Sequence, residues 1–556
     1  MSQLTRRRLI QSLASALPFA LGSRVSGAAI APPPPRQGRT IVRGPFEASW
    51  QSLKQYVAPE WFRDAKFGIW AHWTAQCVPE QGDWYARRMY LQGDPAHDFH
   101  VRTYGHPSEF GFMELDNLWK AEHWDPVSLM DLYVKAGAKY FVALANHHDN
   151  FDTYDSTHHE WNSVHIGPKK DIVGTWAGLA RDRGLRFGVT NHSAHAWHWF
   201  QPAYGYDPEG ARAGVRYDAF RLKKEDGRGK WWDGLDPQQL YSGPNMVMPD
   251  GIRSVKEADA WHAEHDRKWT EEPPAGNVAF VERWFLRCQE LIDKYQPDLL
   301  YFDDTELPLG QAGLDIAAHF YNANLARRGR LEAVLTSKGL KPEHVGTMVL
   351  DIERGRADRI LSAPWQTDTC IGDWHYRRST FEQHRYKSAH TIITTLVDIV
   401  SKNGNLLLNI PLRGDGTIDD DERSVLTDLA AWTAVNGEAI FGTRPFTVFG
   451  EGPPDVKGSG NFNENTSRPY TGEDIRFTIK GGTLYVFALA WPPGGVLRIK
   501  SLGKGSAHYP NEVGRIALLG DDGQSLPFTR DPDGLVVSVP ARKPNESVAT
   551  FKIASK

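Results

Sequence analysis

The sequence has very little cysteine, no surplus of either charge, and no apolar run long enough to cross a bilayer. Its three cysteines among 556 residues, Cys77, Cys288 and Cys370, match no zinc spacing, and an odd count argues against a disulfide framework. None sits in a motif with an activating base, which argues against a thiol nucleophile. Lysine and arginine total 64 against 68 acids, a formal charge of −4, so no nucleic-acid or membrane-surface partner is expected. There is no cofactor fingerprint and no acidic metal motif, so neither cofactor nor metal is expected. Solenoid repeats are absent too. What the chain does have is aromatic: 12% Phe, Trp and Tyr, including 20 Trp. Trp73, Trp84, Trp161, Trp197, Trp199 and Trp374 lie beside polar residues, where a flat ring serves either as a sugar platform or as core.

The first residues read as an address. Thr5-Arg6-Arg7-Arg8-Leu9-Ile10 precedes an apolar stretch, Leu13 to Leu21, and a small-residue run, Ser26 to Ala29. That is the layout of an export signal over residues 1–29, with arginines of the twin-arginine type or of an ordinary positive leader. The apolar stretch is too short to span a membrane. Residues 30–44, with four consecutive prolines, read as an extended linker. A periplasmic or secreted bacterial protein is the expectation. Export in the folded state fits a chain that does not depend on disulfides.

Short apolar runs then alternate with helical patterns, and each run ends in side chains suited to catalysis. Phe67–Ala71 leads to His72, Tyr140–Ala145 to His147-His148-Asp149, and Leu185–Thr190 to His192. Leu299–Phe302 leads to Asp303-Asp304, and Met348–Ile352 to Glu353. The alternation predicts βα units with parallel strands, and a (β/α)8 barrel collects strand C-termini at one site. Asp125-Pro126 caps a predicted helix that Gly137 closes. Further helices are predicted over 173–182 and 279–295. The catalytic domain is expected over 45–444, with an insertion at about 201–276 covering the barrel mouth. From 445 to 556 the pattern becomes alternation. Ile475, Phe477 and Ile479, the turn Gly481-Gly482, then Leu484 and Val486 predict a hairpin. More short strands follow, which predicts an antiparallel β-sandwich that buttresses the barrel.

A site of Trp, His, Asp and Glu without a cofactor suggests a carbohydrate hydrolase, which needs two carboxyl groups. Asp303 closes an apolar strand and is the candidate nucleophile, while Asp304 alternates to the other face. Glu353 is the candidate acid/base, with Glu306, Glu343 and Asp368 as rivals. His72, His147, His148 and His192 suit sugar hydroxyls. His192, His195 and His198 have i, i+3, i+6 spacing, but the third step swings away from the first, which weakens a metal reading.

The chain resembles the α-L-fucosidases of glycoside hydrolase family 29. The motifs that carry the resemblance are Ala65–Trp73, Val78–Tyr90 with Asp83-Trp84, Ala138–Phe151, Asp155-Ser with Trp161-Asn, Pro364–Trp374, Val400–Asn409 and Val435–Pro445. They span about residues 45–450, in the family's order. The resemblance implies a (β/α)8-like barrel followed by a β-sandwich, and a retaining reaction on a fucosylated glycan without a metal. It implies Asp303 as nucleophile and Glu353 as acid/base, with His72, His147 and His148 binding fucose. Asp83 and Trp84 match a Glu-Trp pair, His192 sits near a position often held by Tyr, and Trp374 matches an aromatic lining the pocket. Thr74 and Asn150 depart from the Gly common at those places. Three other readings stay open at this level: a retaining glycosidase for a galactose-type sugar, a metal-dependent hydrolase using the His192 cluster, and a sugar-binding protein without turnover.

Overall fold

A computed structural model describes residues 39–453, 458–466, 468–521 and 523–556. The arginine-led leader and most of the proline-rich stretch lie outside the described residues. Eight strands close into a barrel in sequence order: β1 Phe67–Ala71, β2 Tyr140–Asn146, β3 Arg186–Asn191, β4 Leu299–Thr305, β5 Val334–Lys338, β6 Val349–Asp351, β7 Trp365–Cys370 and β8 Gly404–Asn409. Every neighbouring pair is parallel, including the closing pair β1 and β8, so all C-terminal ends open on one face. This is the expected barrel.

The local signals explain the connecting helices. Asp125 accepts from the Ser128 N–H and starts the helix Pro126–Lys135, and Gly137 follows it with φ 107°. Asp171 likewise starts Ile172–Asp182, and Asn277 starts Val278–Tyr295. Strands β5 and β7 were not legible as strands because they are polar. In β7, Gln366, Thr367 and Asp368 are all buried. Gln366 and Asp368 find partners inside the barrel: Tyr140 Oη donates to Gln366 Oε1 (3.0 Å), Gln366 Nε2 to Asp351 (2.6 Å), and Tyr301 Oη to Asp368 (2.9 Å), while Thr367 Oγ1 donates to the Gly355 carbonyl (3.0 Å). The segment 201–276 is not one long loop. It carries short helical turns and the helix Val255–Glu264, with a small core of Tyr206, Met248 and Ala258.

The C-terminal region is antiparallel. One sheet has the order β13-β16-β11-β10-β9 and the other β12-β15-β14. The ranges are β9 Arg444–Glu451, β10 Ile475–Lys480, β11 Thr483–Ala488, β12 Val496–Ile499, β13 Val513–Leu518, β14 Phe528–Asp531, β15 Gly534–Ser538 and β16 Ala549–Ser555. Gly481 and Gly482 both take positive φ (54° and 82°), the primed turn that matches strand twist. The alternation of β10 and β11 separates two buried faces rather than buried from wet. Ile475, Phe477, Leu484 and Val486 enter the sandwich core, whereas Tyr485 and Phe487 join the barrel core.

Arg476, on the barrel-facing side of β10, ties the two regions together. Its Nε donates to Asp398 Oδ1 (2.6 Å) on the helix Ala389–Ser401, and Lys402 Nζ donates to Asp398 Oδ2 (2.7 Å). Burial opposes the Asp398 charge, but these cations hold its carboxyl well below the usual range. Removing one partner of such a buried pair costs about 3 kcal/mol or more. Arg476→Ala is therefore expected to lower the thermal midpoint by several degrees in calorimetry. An unchanged midpoint would show that the pair does not hold the sandwich on the barrel.

Candidate active site

The open face of the barrel gathers side chains from the ends of all eight strands. His72 follows β1, and its position is set by Asn409 at the end of β8. Asn409 Oδ1 accepts from the His72 backbone N–H (2.9 Å) and from His72 Nδ1 (3.1 Å). Nδ1 must therefore carry the proton, which leaves Nε2 as an acceptor. Asn409 Nδ2 also donates to the Trp374 carbonyl (2.8 Å), so one amide fixes both His72 and the loop after β7. That loop brings Trp374, 5.1 Å from His72 between ring centres and edge-on to Trp70.

After β2, Gln76 Nε2 donates to His147 Nδ1 (3.1 Å), which makes His147 Nε2 the protonated nitrogen. His148 Nδ1 donates to the His192 carbonyl (2.7 Å). Burial drives all four rings toward the neutral form: His72 and His147 fall well below the usual range, His148 to about 4, and His192 is lowered. His148 Nε2 and both His192 nitrogens are buried without a hydrogen-bond partner in the protein. Asp83 is placed by the loop after β7, its Oδ1 accepting from the His375 N–H (2.8 Å). Trp84 stands edge-on to His148 at 6.3 Å.

Asp303, on β4, points into this group, with Oδ2 3.3 Å from His148 Nε2 and 3.3 Å from His192 Nδ1. Its Oδ1 pairs with Lys338 Nζ, at the end of β5. The same ammonium donates to Glu353 Oε2 at 2.7 Å. Burial opposes ionisation of Asp303, but the Lys338 ammonium outweighs it and holds the carboxyl well below its usual value. Glu353 is gripped by its backbone: its N–H donates to Asn461 Oδ1 (3.0 Å) and its carbonyl accepts from the Phe462 N–H (2.8 Å). Arg354 pairs with Glu464 (2.7 Å), its guanidinium 5.9 Å over the Trp374 ring.

The other candidates separate cleanly. Glu306 is occupied by His344 (2.6 Å) and Lys341 (3.0 Å), and Glu343 is exposed. Asp368 lies deeper in the barrel, where burial raises its pKa to about 6 against the pull of Lys338. Among the tryptophans, Trp73 and Trp161 are core, Trp73 packing on Trp119 and Trp124. Trp199 packs 5.4 Å from His148. The helical histidines diverge: His192 serves Asp303, whereas His195 lies 2.6 Å from Asp304 on the opposite face of β4. Burial opposes charge on His195, but Asp304 and Glu271 outweigh it and raise its pKa to about 10.

Thr74 and Asn150 are explained by their contacts. Thr74 Oγ1 donates to Asp149 (3.0 Å). Asn150 keeps a left-handed φ of 63°, which asparagine tolerates better than most residues. Its amide donates to the Gln239 and Leu240 carbonyls (2.9 and 3.0 Å) and accepts from Arg287 (2.6 Å). Sequence reasoning missed Lys338, Asn409, Asn461 and His375. Lys338 had one usable signal, a strand-length segment after the glycine-ended helix Gln311–Arg328, but Thr336 and Ser337 hide the strand.

Comparison with known proteins gives the family. The family model described as alpha-L-fucosidase matches residues 36–438, and the alpha-L-fucosidase C-terminal domain matches 468–554. The chain is 26% identical to human tissue alpha-L-fucosidase over 522 residues, covering 91% of this chain and 90% of that protein. It is 27% identical to the mouse tissue enzyme, covering 90% and 91%. Among solved structures, Thermotoga maritima alpha-fucosidase in complex with fucose superposes with a TM-score of 0.65 at 25% identity, covering 92% of this chain and 100% of that one. Isoenzyme 1 from Paenibacillus thiaminolyticus shares the fold, with a TM-score of 0.59 at 19% identity, covering 92% and 100%. This chain belongs to the α-L-fucosidase family of glycoside hydrolases.

Proposed function

We propose that the protein is a retaining exo-α-L-fucosidase that removes terminal α-L-fucose from glycans by double displacement. The observation that carries the reading is the pair Asp303 and Glu353 sharing one ammonium beneath a cluster of neutral histidines. Two carboxyl groups touching the same Nζ are held to a separation on the order of 5 Å, the spacing of a retaining pair. The relatives named as fucosidases, one of them solved with fucose, support the choice of sugar.

In the first step an oxygen of Asp303 attacks the anomeric carbon. The bond to the leaving oxygen breaks, and Glu353 supplies that oxygen with a proton. In the second step Glu353 takes a proton from water, the water oxygen attacks the anomeric carbon, and Asp303 departs as carboxylate. The depressed pKa of Asp303 keeps it ionised for attack. His72 offers an accepting Nε2 and His147 a donating Nε2–H, a complementary pair for sugar hydroxyls. His148 and His192 supply the remaining unpartnered nitrogens. Asp83 and Trp84 border this group, and Trp374 gives an apolar wall suited to the methyl group of fucose, where a further hydroxyl would lose its hydrogen bonds to water. The arginine-led leader supports a place outside the cytoplasm.

Asp303→Gly is expected to lower turnover of an aryl α-L-fucoside by on the order of 10³-fold or more, and azide to restore it with a fucosyl azide product. Retained activity in that variant would remove Asp303 from the role. For Glu353→Ala, a loss of roughly 10²–10⁴-fold is expected on oligosaccharides and far less on aryl fucosides with good leaving groups. Equal losses on both would count against the acid/base assignment. Lys338→Met removes the cation that depresses Asp303, so the carboxyl pKa rises and the acidic limb of the kcat/KM profile moves to higher pH. An acidic limb that stays in place would show that Lys338 does not set the ionisation of the nucleophile.

A further inference from the structure

Behind the nucleophile, on the opposite face of β4, three side chains converge without satisfying one another. His195 Nε2 lies 2.6 Å from Asp304 Oδ1 and 3.3 Å from Glu271 Oε2. Yet His195 Nε2, both Asp304 oxygens and Glu271 Oε2 are all buried and outside any hydrogen bond, because the ring N–H direction misses both carboxylates. Asp304 and His195 are each only 1% exposed, so bulk solvent does not reach these atoms.

The surroundings aim these atoms at one point. His198 Nδ1 donates to the Asp266 carbonyl (3.3 Å), which leaves His198 Nε2 as the acceptor for His195 Nδ1 (3.1 Å). A neutral His195 then presents the lone pair of Nε2 to the carboxylates. The Trp269 ring lies on His195 at 3.8 Å, and its Nε1 donates to Glu271 Oε1 (3.1 Å). The Thr305 N–H donates to that same oxygen (2.8 Å), which turns Oε2 toward His195. One nitrogen and two carboxylates, with the far sides of His195 and Glu271 held by hydrogen bonds, are the arrangement of a metal site rather than of a salt bridge.

We propose that His195, Glu271 and Asp304 bind a divalent transition-metal ion, zinc by preference. The ligand atoms lie within 4.8 Å of one another. Zinc bonds of about 2.0–2.2 Å fit such a set after a small opening of the Nε2–Oδ1 pair, with solvent completing the shell on the side of Glu271, whose side chain is 21% exposed. The ion joins the turn after β3, the end of β4 and the insertion, and so anchors the insertion to the strand that carries Asp303. It takes no part in the displacement chemistry. Two other histidine groups, His72–His147–His192 and His148–His192–Asp303, belong to the sugar pocket.

The full chain, dialysed against chelator, is titrated with zinc by calorimetry, beside Glu271→Gln, His195→Gln and His147→Ala. The expected result is one tight equivalent in the wild type and in His147→Ala, weakened at least tenfold in the other two. Zinc should also raise the thermal midpoint of the wild type by several degrees and leave that of Glu271→Gln in place. Cobalt should give a visible d–d band that Glu271→Gln abolishes. Loss of the equivalent in His147→Ala would put the ion in the sugar pocket and overturn the proposal. Equal uptake by the wild type, Glu271→Gln and His195→Gln, or no uptake, would overturn it too and leave His195 as the imidazolium partner of Asp304.

Discussion

An ionised carboxyl group can stand beside a second carboxyl group in a dry barrel mouth only if something offsets its charge, and here that is the single ammonium of Lys338. It touches both Asp303 and Glu353 and lies within the field of Asp368. Burial works against all of these charges, yet the mutual attraction keeps Lys338 protonated and Asp303 ionised. Without it, the desolvation of Asp303 would favour the protonated acid, a poor nucleophile. The ammonium also fixes geometry, because a lysine nitrogen with three donors can hold two carboxyl groups at short range without choosing between them.

The rings around this pair must stay neutral, or they would compete with Lys338 for the carboxylates. Burial achieves that, and amide groups then decide which nitrogen carries each proton. Asn409 assigns His72, and Gln76 assigns His147. A displacement reaction needs substrate hydroxyls held to within fractions of an ångström, and rings locked by neighbours supply that better than mobile charged chains. The same logic explains why Asp304 cannot simply face the pocket. A third carboxylate there would have no cation, so the strand turns it to the far side, toward His195.

Much of this was legible in the chain. The strands that read clearly, such as Tyr140–Asn146, are apolar runs with every residue buried, and they carry the histidines and Asp303 on their ends. Strand β7 was hidden because its Gln366 and Asp368 pair with Tyr140 and Tyr301 across the barrel, contacts that only the closed fold creates. Lys338 was hidden for a related reason: a lysine after Thr and Ser reads as surface until β4 and β6 bring two acids to it. Asn461 lies 108 positions from Glu353, and no local pattern links them. The alternation of β10 and β11 was read correctly as a hairpin, but alternation cannot say whether the second face meets water or another core.

That second core changes the part the C-terminal region plays. The expectation was buttressing, and the packing of Tyr485 and Phe487 on the barrel is of that kind. The segment between β9 and β10 does more. Asn461 and Phe462 hold the backbone of Glu353 from both sides, Asn463 accepts from the Arg356 N–H (2.9 Å), and Glu464 pairs with Arg354. Strand β6 is only three residues long, so the barrel alone gives the loop after it little support. A general acid must return to the same place in both steps of a double displacement, first to give a proton and then to take one. Because backbone bonds hold Glu353, the side chain can change protonation without losing its anchor. On the proposed mechanism the β-sandwich region helps to position the acid, and its attachment through Arg476 and Asp398 would bear on catalysis as well as on stability.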